Sequence, residues 1–166
     1  DPVGQPEFLI EFFKTCHDYG IHTAIDTSLS VAPKWIEPIA AVTDLALISL
    51  KHMDDTEHQK LVKGSNKLIF RNIKQLNELG QRIWFRFLVL PGVTDTEAHL
   101  DALVEYLKTV DFELIEVLPY HTMGVYKWHE LGLGYSLENI PEATHADVAR
   151  VQQRLQQAGI PVVVNE

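Results

Sequence analysis

The sequence predicts an α/β fold with parallel strands, either a doubly wound sheet or a piece of a barrel, and three observations carry that expectation. Stretches with apolar residues at helical spacing alternate with short apolar runs of strand length, and strands joined through helices pair in parallel by right-handed crossovers. A helix, a glycine and a strand recur in that order at YGIHTAID, LGQRIWFRF and AGIPVVV. Polar groups gather where the apolar runs end: Asp26 and Thr27 close IHTAID, Lys51 follows LALISL, and Tyr120 with His121 follows LIEVLP. In parallel sheets and barrels ligands bind at the carboxyl ends of the strands, because the loops diverge there above a packed core.

Taken in order, Phe8, Leu9, Phe12, Phe13 and Cys16 recur at helical spacing, and Gly20 stands where a helix closes in a left-handed residue. The first element is therefore an amphipathic helix with those residues inward and Cys16 as a core thiol. Residues 21–26 read as the first strand, and 33–41 as a short helix with Trp35, Ile36 and Ile39 inward. Residues 45–50 are the second strand. The polar passage HMDDTEHQKLVKGSN leads to a helix near 66–79 whose Ile69, Ile73, Leu76 and Leu79 share a face. Residues 82–90, RIWFRFLVL, are too apolar on both faces for a half-exposed strand, which predicts a central strand with helices on either side. Arg86 within it needs a partner.

Thr94 and Glu97 form a capping-box pattern before a helix with Leu100, Leu103, Val104 and Leu107 on one stripe. Residues 114–118 are the fourth strand. Thr144 and Asp147 open the last helix, with Val148, Val151 and Leu155 inward, and PVVV closes the chain. The segment 119–143 lacks clear periodicity and is long for a connection in a compact domain. Its aromatics and glycines suit a lid or partner surface, or else a surface loop packed by Tyr126, Trp128 and Tyr135.

A chain of 166 residues with 46% hydrophobic and 22% charged residues buries one core, so one domain spanning 1–166 is expected. A formal net charge of -9 argues against a nucleic-acid backbone or an anionic membrane as partner and favours small molecules or a protein surface. No apolar run approaches the roughly 20 residues of a spanning helix, and no signal-peptide pattern opens the sequence, which predicts a cytoplasmic protein. The lone Cys16 excludes an internal disulfide and a multi-cysteine metal site within these residues. The start at Asp1 without methionine suggests a portion of a longer protein.

By spacing alone, the constellation is Asp26 and Thr27, Lys51, Arg86, and Tyr120 with His121. One acid, two cations and an imidazole suit a zwitterionic ligand: a carboxylate at Lys51 or Arg86, an amine at Asp26, an aromatic or ribose part against His121. Against this, Lys51 alone reads as a lysine snorkelling to water, and Arg86 as a structural cation paired with Asp26. Asp54, Asp55 and His58 read as a solvated helix start rather than a metal cluster. There is no G-x-S-x-G elbow, no phosphate-cradling G-x-x-x-x-G-K and no cysteine beside a histidine.

Read together, QPEFL at Gln5, GIHTAIDT at Gly20, TDLALISLKHMD at Thr43, VLPGVTD at Val89 and LPYHTMGVYKW at Leu118 resemble the pyruvate formate-lyase activating enzyme family of the radical S-adenosylmethionine superfamily. The resemblance runs almost the whole length, and LPYH followed by G-x-x-K-W is specific. It implies an incomplete parallel (β/α) barrel, here of about four to five strands with flanking helices. It also implies an oxidoreductase of anaerobic metabolism in which an iron-sulfur cluster, fed by an electron donor protein, reductively cleaves S-adenosylmethionine. The resulting radical takes a hydrogen from a glycine of a partner glycyl-radical enzyme.

The resemblance implies cofactor contacts at Asp1, Asp26, Thr27, Ser49, Leu50, Lys51 and His121, and the spacing of the charges adds Arg86 to the expected cofactor site. Asp1 and Pro2 fall on the second half of the family's G-G-E-P turn, Asp26 and Thr27 on its D-T, Lys51 on the lysine of D-L-K, and His121 on the histidine beside the nucleoside. Ser49 stands where the family has aspartate, and Leu29 where a glycine usually follows D-T-[NS]. The family's C-x-x-x-C-x-x-C, whose three thiolates hold the 4Fe-4S cluster, has no counterpart in these residues. The expectation is therefore a C-terminal portion of an activating enzyme that supplies cofactor and partner contacts but is inactive alone, or else a cluster-free nucleoside- or protein-binding module.

Overall fold

The computed structural model describes residues 1–164. Among these residues seven α-helices and five strands follow in the order α1 (Pro6–Asp18), β1 (Ala24–Thr27), α2 (Ile36–Ala40), β2 (Leu45–Leu50), α3 (Asp55–Val62), α4 (Lys67–Glu78), β3 (Ile83–Val89), α5 (Glu97–Leu107), β4 (Leu114–Pro119), α6 (Val125–Glu130), α7 (His145–Gln157) and β5 (Val162–Val164). The strands form one parallel sheet in the order β1-β2-β3-β4-β5. Right-handed crossovers that always step the same way place every crossover on the same side. Sequential order is thus barrel order, and the doubly wound alternative falls away.

Burial follows from that topology. Ile25, Ile48, Phe85, Phe87, Ile115 and Val117 point to the helix-packed side and are at most 3% exposed. The alternate positions Leu47, Ser49, Trp84, Arg86, Leu88, Leu114, Glu116 and Leu118 are only half-buried, because no helix covers their side. The expectation that β3 has helices on both faces is therefore corrected. Its second face lines the open inner wall of a partial barrel, where a few apolar residues coexist with charge. Each fully buried phenylalanine on the packed side contributes about 2–3 kcal/mol.

Local departures from the expected elements have simple causes. In α1 the inward residues are Leu9, Ile10 and Phe13, while Phe8 and Phe12 stack on each other in the open, 68% and 53% exposed. Cys16 is half-buried rather than a core thiol. Strand β1 starts at Ala24, three residues later than expected, because the chain before it closes α1 through Gly20 at φ 69° and ties Thr23 to Val42 and Asp44. Leu79 is 45% exposed. The cap of α5 is Thr96, not Thr94, whereas Thr144 and Asp147 do form the capping box of α7. The polar passage after β2 folds into α3, and Asp54 and Asp55 do form its start, with the exposed Asp54 as cap, whereas His58 turns inward to 2% exposure and is not solvated.

Candidate functional site

The loops after β1 and β2 are held from one helix. Asn72, fully buried in α4, donates through Nδ2 to the carbonyls of Leu29 at 3.0 Å and Val31 at 2.8 Å. Asn66, just before α4, donates to the carbonyls of His52 at 3.0 Å and Met53 at 2.8 Å. Buried carbonyls without partners are costly, so these two amides fix the loop that follows Asp26 and Thr27 and the loop that carries Lys51. A second brace comes from α5. His99 Nε2 accepts the Met53 N–H at 3.3 Å, and the His99 and His52 rings lie 4.0 Å apart. The His52 Nδ1 in turn accepts the Asp54 N–H at 3.1 Å. His99 is pushed down to about 4, mainly by burial and secondly by His52, so it stays neutral at ordinary pH.

The open face carries a chain of charges that reaches across four strands, from Asp26 on β1 to Glu116 on β4. In register, Ser49 on β2 stands beside Arg86 on β3, and Arg86 beside Glu116 on β4. Arg86 Nε donates to Glu116 Oε2 at 2.7 Å, and its Nη1 donates to Asp26 on β1. The guanidinium therefore crosses over β2, and the small Ser49 leaves room for it. Glu116 holds the Arg86 pKa above its usual value, with Asp26 adding to the effect. Of the two readings of Arg86, the ion pair with Asp26 is the one observed.

Lys51 follows β2 at the rim of the same face, half-buried. Burial lowers its pKa, the Asp26 charge counters this, and the Arg86 charge lowers it further. It makes none of the ion pairs found among the described residues, and the charge that favours its protonated form is that of Asp26.

Asp1 is brought onto the end of β1. Its Oδ1 accepts from Thr27 Oγ1 at 2.8 Å, and its Oδ2 accepts from the Ser28 N–H at 2.8 Å and Ser28 Oγ at 2.6 Å. Thr27 Oγ1 also accepts the Leu29 N–H at 2.8 Å. Leu29 takes the glycine-like φ of 59° with its side chain 2% exposed, so a leucine occupies the conformation that a glycine would adopt without strain. Leu50 lies on the helix-packed side at 3% exposure and does not join the open face.

His121 is exposed at the same rim after β4, beside Glu142, which accepts from the Thr122 N–H at 2.7 Å and its Oγ1 at 2.6 Å. Tyr120 is buried, its hydroxyl 2.9 Å from that of Tyr135, and its phenol is pushed up to about 12. Trp128 packs on Tyr135, but Tyr126 is 56% exposed and does not hold the segment. Asp26, Lys51 and Arg86 thus share one face, Asp1 with Thr27 closes one end, and His121 stands at the same rim.

Sequence reasoning missed Glu116, Asn66, Asn72 and His99. Asn72 had a signal: it interrupts the buried stripe of Ile69, Ile73 and Leu76 on α4. Glu116 had one as well, an acid inside the apolar run LIEVLP. His99 had none, because a histidine one turn into an amphipathic helix is unremarkable in a sequence.

The radical SAM superfamily model matches residues 1–105. A pyruvate formate-lyase-activating enzyme of Streptococcus mutans is 39% identical over 147 residues, covering 84% of this chain and 56% of that protein. One from Listeria monocytogenes is 38% identical over 162 residues, covering 93% and 65%. The chain thus spans between 56% and 65% of the length of these two relatives. Among solved structures, a domain of pyruvate-formate lyase-activating enzyme from Bacteroides vulgatus superposes with a TM-score of 0.83 at 27% identity, covering 100% of this chain and 94% of that one. Streptococcus suis SuiB bound to S-adenosylmethionine shares the fold at a TM-score of 0.72 and 16% identity, covering 95% of this chain and 36% of that one.

Proposed function

This chain belongs to the radical SAM superfamily, and from that premise we propose that it forms part of a glycyl-radical enzyme activase, supplying contacts to S-adenosylmethionine and to the partner protein. One observation carries the reading. Lys51 offers an ammonium at the strand-end rim, beside an Asp26 carboxylate whose side chain is still 52% exposed. That pairing suits the carboxylate and amine of a methionine moiety. Asp1, fixed against Thr27 and Ser28, presents backbone at the end of β1. Ser49 adds a neutral hydroxyl, Leu50 only its main chain, and His121 an imidazole for the nucleoside. Arg86 keeps Asp26 in place. When bound, S-adenosylmethionine supplies a sulfonium with a cleavable carbon-sulfur bond, and the residues named here orient it.

The cluster is a different matter. Cys16 is the one cysteine in the sequence, it sits half-buried on α1, and among the described residues no group of three His, Cys, Asp or Glu side chains is placed to hold a metal ion. These residues do not fit a cluster that needs three thiolates. The reading is therefore of a chain that binds the cofactor without cleaving it, while the electron donor and the glycyl-radical enzyme engage the complete activase. The lone cysteine also favours a second reading, a cluster-free nucleoside- or protein-binding module.

Anaerobic loading of the chain with iron and sulfide, followed by an assay for 5′-deoxyadenosine alongside a binding titration, tests the proposal. Saturable binding with no deoxyadenosine is the expected result. A stoichiometric cluster with cofactor cleavage would overturn the assignment.

A further inference from the structure

We propose that Glu116 is a positioning residue for ligand binding: it holds the Arg86 guanidinium across the sheet against Asp26, so that Lys51 remains the cation offered to an anionic ligand group. The inference rests on the open face being a binding site, as proposed above, and extends it to a residue on a strand that contributes no other charge to that face.

The stereochemistry of the guanidinium carries the argument. Arginine recognises a carboxylate through a pair of parallel N–H groups, either Nε with one terminal nitrogen or the two terminal nitrogens together. Here Nε is given to Glu116 at 2.7 Å and Nη1 to Asp26. Each two-donor edge thus has one arm occupied, by acids on opposite sides. The pair with Glu116 is the better shielded, with side-chain exposures of 27% for Arg86 and 16% for Glu116, against 52% for Asp26. Glu116 is therefore the anchor, and Asp26 the group that the anchored cation neutralises.

The charge balance agrees. Asp26 and Glu116 offset Arg86 and Lys51, a balance suited to a zwitterion, while the Asp1 carboxylate at the end of β1 is engaged by Thr27 and Ser28. Neutralising Glu116 changes both geometry and balance: the Nε edge of Arg86, on the β4 side, loses its charged partner, and the remaining charges sum to positive. Because Ser49 is short and uncharged, nothing on β2 would recapture the guanidinium.

Calorimetric titration of the 166-residue chain with S-adenosylmethionine tests this through rescue. Lys51→Ala is expected to weaken binding by about 10–100-fold. Adding Glu116→Gln to Lys51→Ala is expected to restore roughly 5-fold or more, because the released Arg86 substitutes for the lost ammonium. Adding Arg86→Ala to that pair abolishes the recovery. Should Glu116→Gln fail to fold by circular dichroism, Glu116→Asp, which keeps the charge but withdraws it by one methylene, is expected to give partial recovery. A residue that served only packing would make the double variant weaker than Lys51→Ala. A double variant no better than Lys51→Ala, in a chain whose wild type binds, overturns the role of Glu116 alone. A wild-type chain that takes up no S-adenosylmethionine overturns the underlying reading and this inference with it.

Discussion

Asn72, in the middle of α4, donates to the carbonyls that flank Ser30, at Leu29 and Val31, and so ties the loop after β1 to a helix more than forty residues away. The amide oxygen of the same residue is buried and finds no hydrogen-bond partner among the described residues. A polar side chain kept in a buried stripe at that cost is there for what its donor holds.

Asn72→Ala leaves the Val31 carbonyl buried without its side-chain donor, and is expected to cost about 1–3 kcal/mol. Urea unfolding measures the loss. Amide exchange at residues 29–31 should accelerate beyond the global change, and an unchanged exchange rate there would remove the loop-holding role.

Leu29 sets two effects against each other. Leu29→Gly removes roughly 1–2 kcal/mol of left-handed strain but also a buried side chain worth about 2–3 kcal/mol. Leu29→Ala removes the side chain and keeps the strain. Both variants should be less stable than wild type, with alanine the worse of the two despite its larger side chain. Thermal melts that ranked alanine above glycine would show that backbone strain does not matter there.

His99 makes stability depend on acid. The unfolded chain takes up a proton at this ring near 6.5, whereas the folded chain does so only at about 4. Between those values the unfolded state binds more protons, so stability falls as pH drops through that window, by on the order of 3 kcal/mol in total. His99→Gln, which retains an acceptor for the Met53 N–H and does not titrate, is expected to flatten the slope of unfolding free energy between pH 4 and 6.5. An unaltered slope would assign the acid sensitivity to other groups.

Much of this was legible in the sequence, and the misses have physical causes. The helix-glycine-strand rhythm predicted the parallel order, since Gly20, Gly80 and Gly159 all adopt positive φ at the junctions. The helices on both faces of β3 were wrongly expected because Trp84 and Leu88 look like core residues, yet they line an open wall beside Arg86. Asp26, Lys51 and Arg86 were readable as charges at strand ends or inside a strand. Glu116 was not singled out, because the pairing of β3 with β4 that places it beside Arg86 is a matter of register, which a lone charge in an apolar run does not fix.

Ser49 stands beside Arg86 in the register, so Ser49→Asp should compete with Asp26 for the guanidinium. Two carboxylates and a ligand carboxylate would then converge with too few cations, and binding of S-adenosylmethionine should strengthen in potassium relative to tetramethylammonium. The wild-type chain is expected to bind equally in both salts. Equal affinities for the aspartate variant as well would show that position 49 does not govern a cation requirement.

In the proposed complex Lys51 receives the carboxylate of the bound cofactor. Calorimetry with S-adenosylmethionine and with its decarboxylated analogue addresses that contact alone, because the two ligands share the nucleoside, the sulfonium and the amine. Saturable binding of the first, binding of the second weaker by about 10-fold or more, and no such discrimination in Lys51→Ala are expected. Equal affinity of the wild-type chain for both ligands, or discrimination that survives in Lys51→Ala, would rule out that contact.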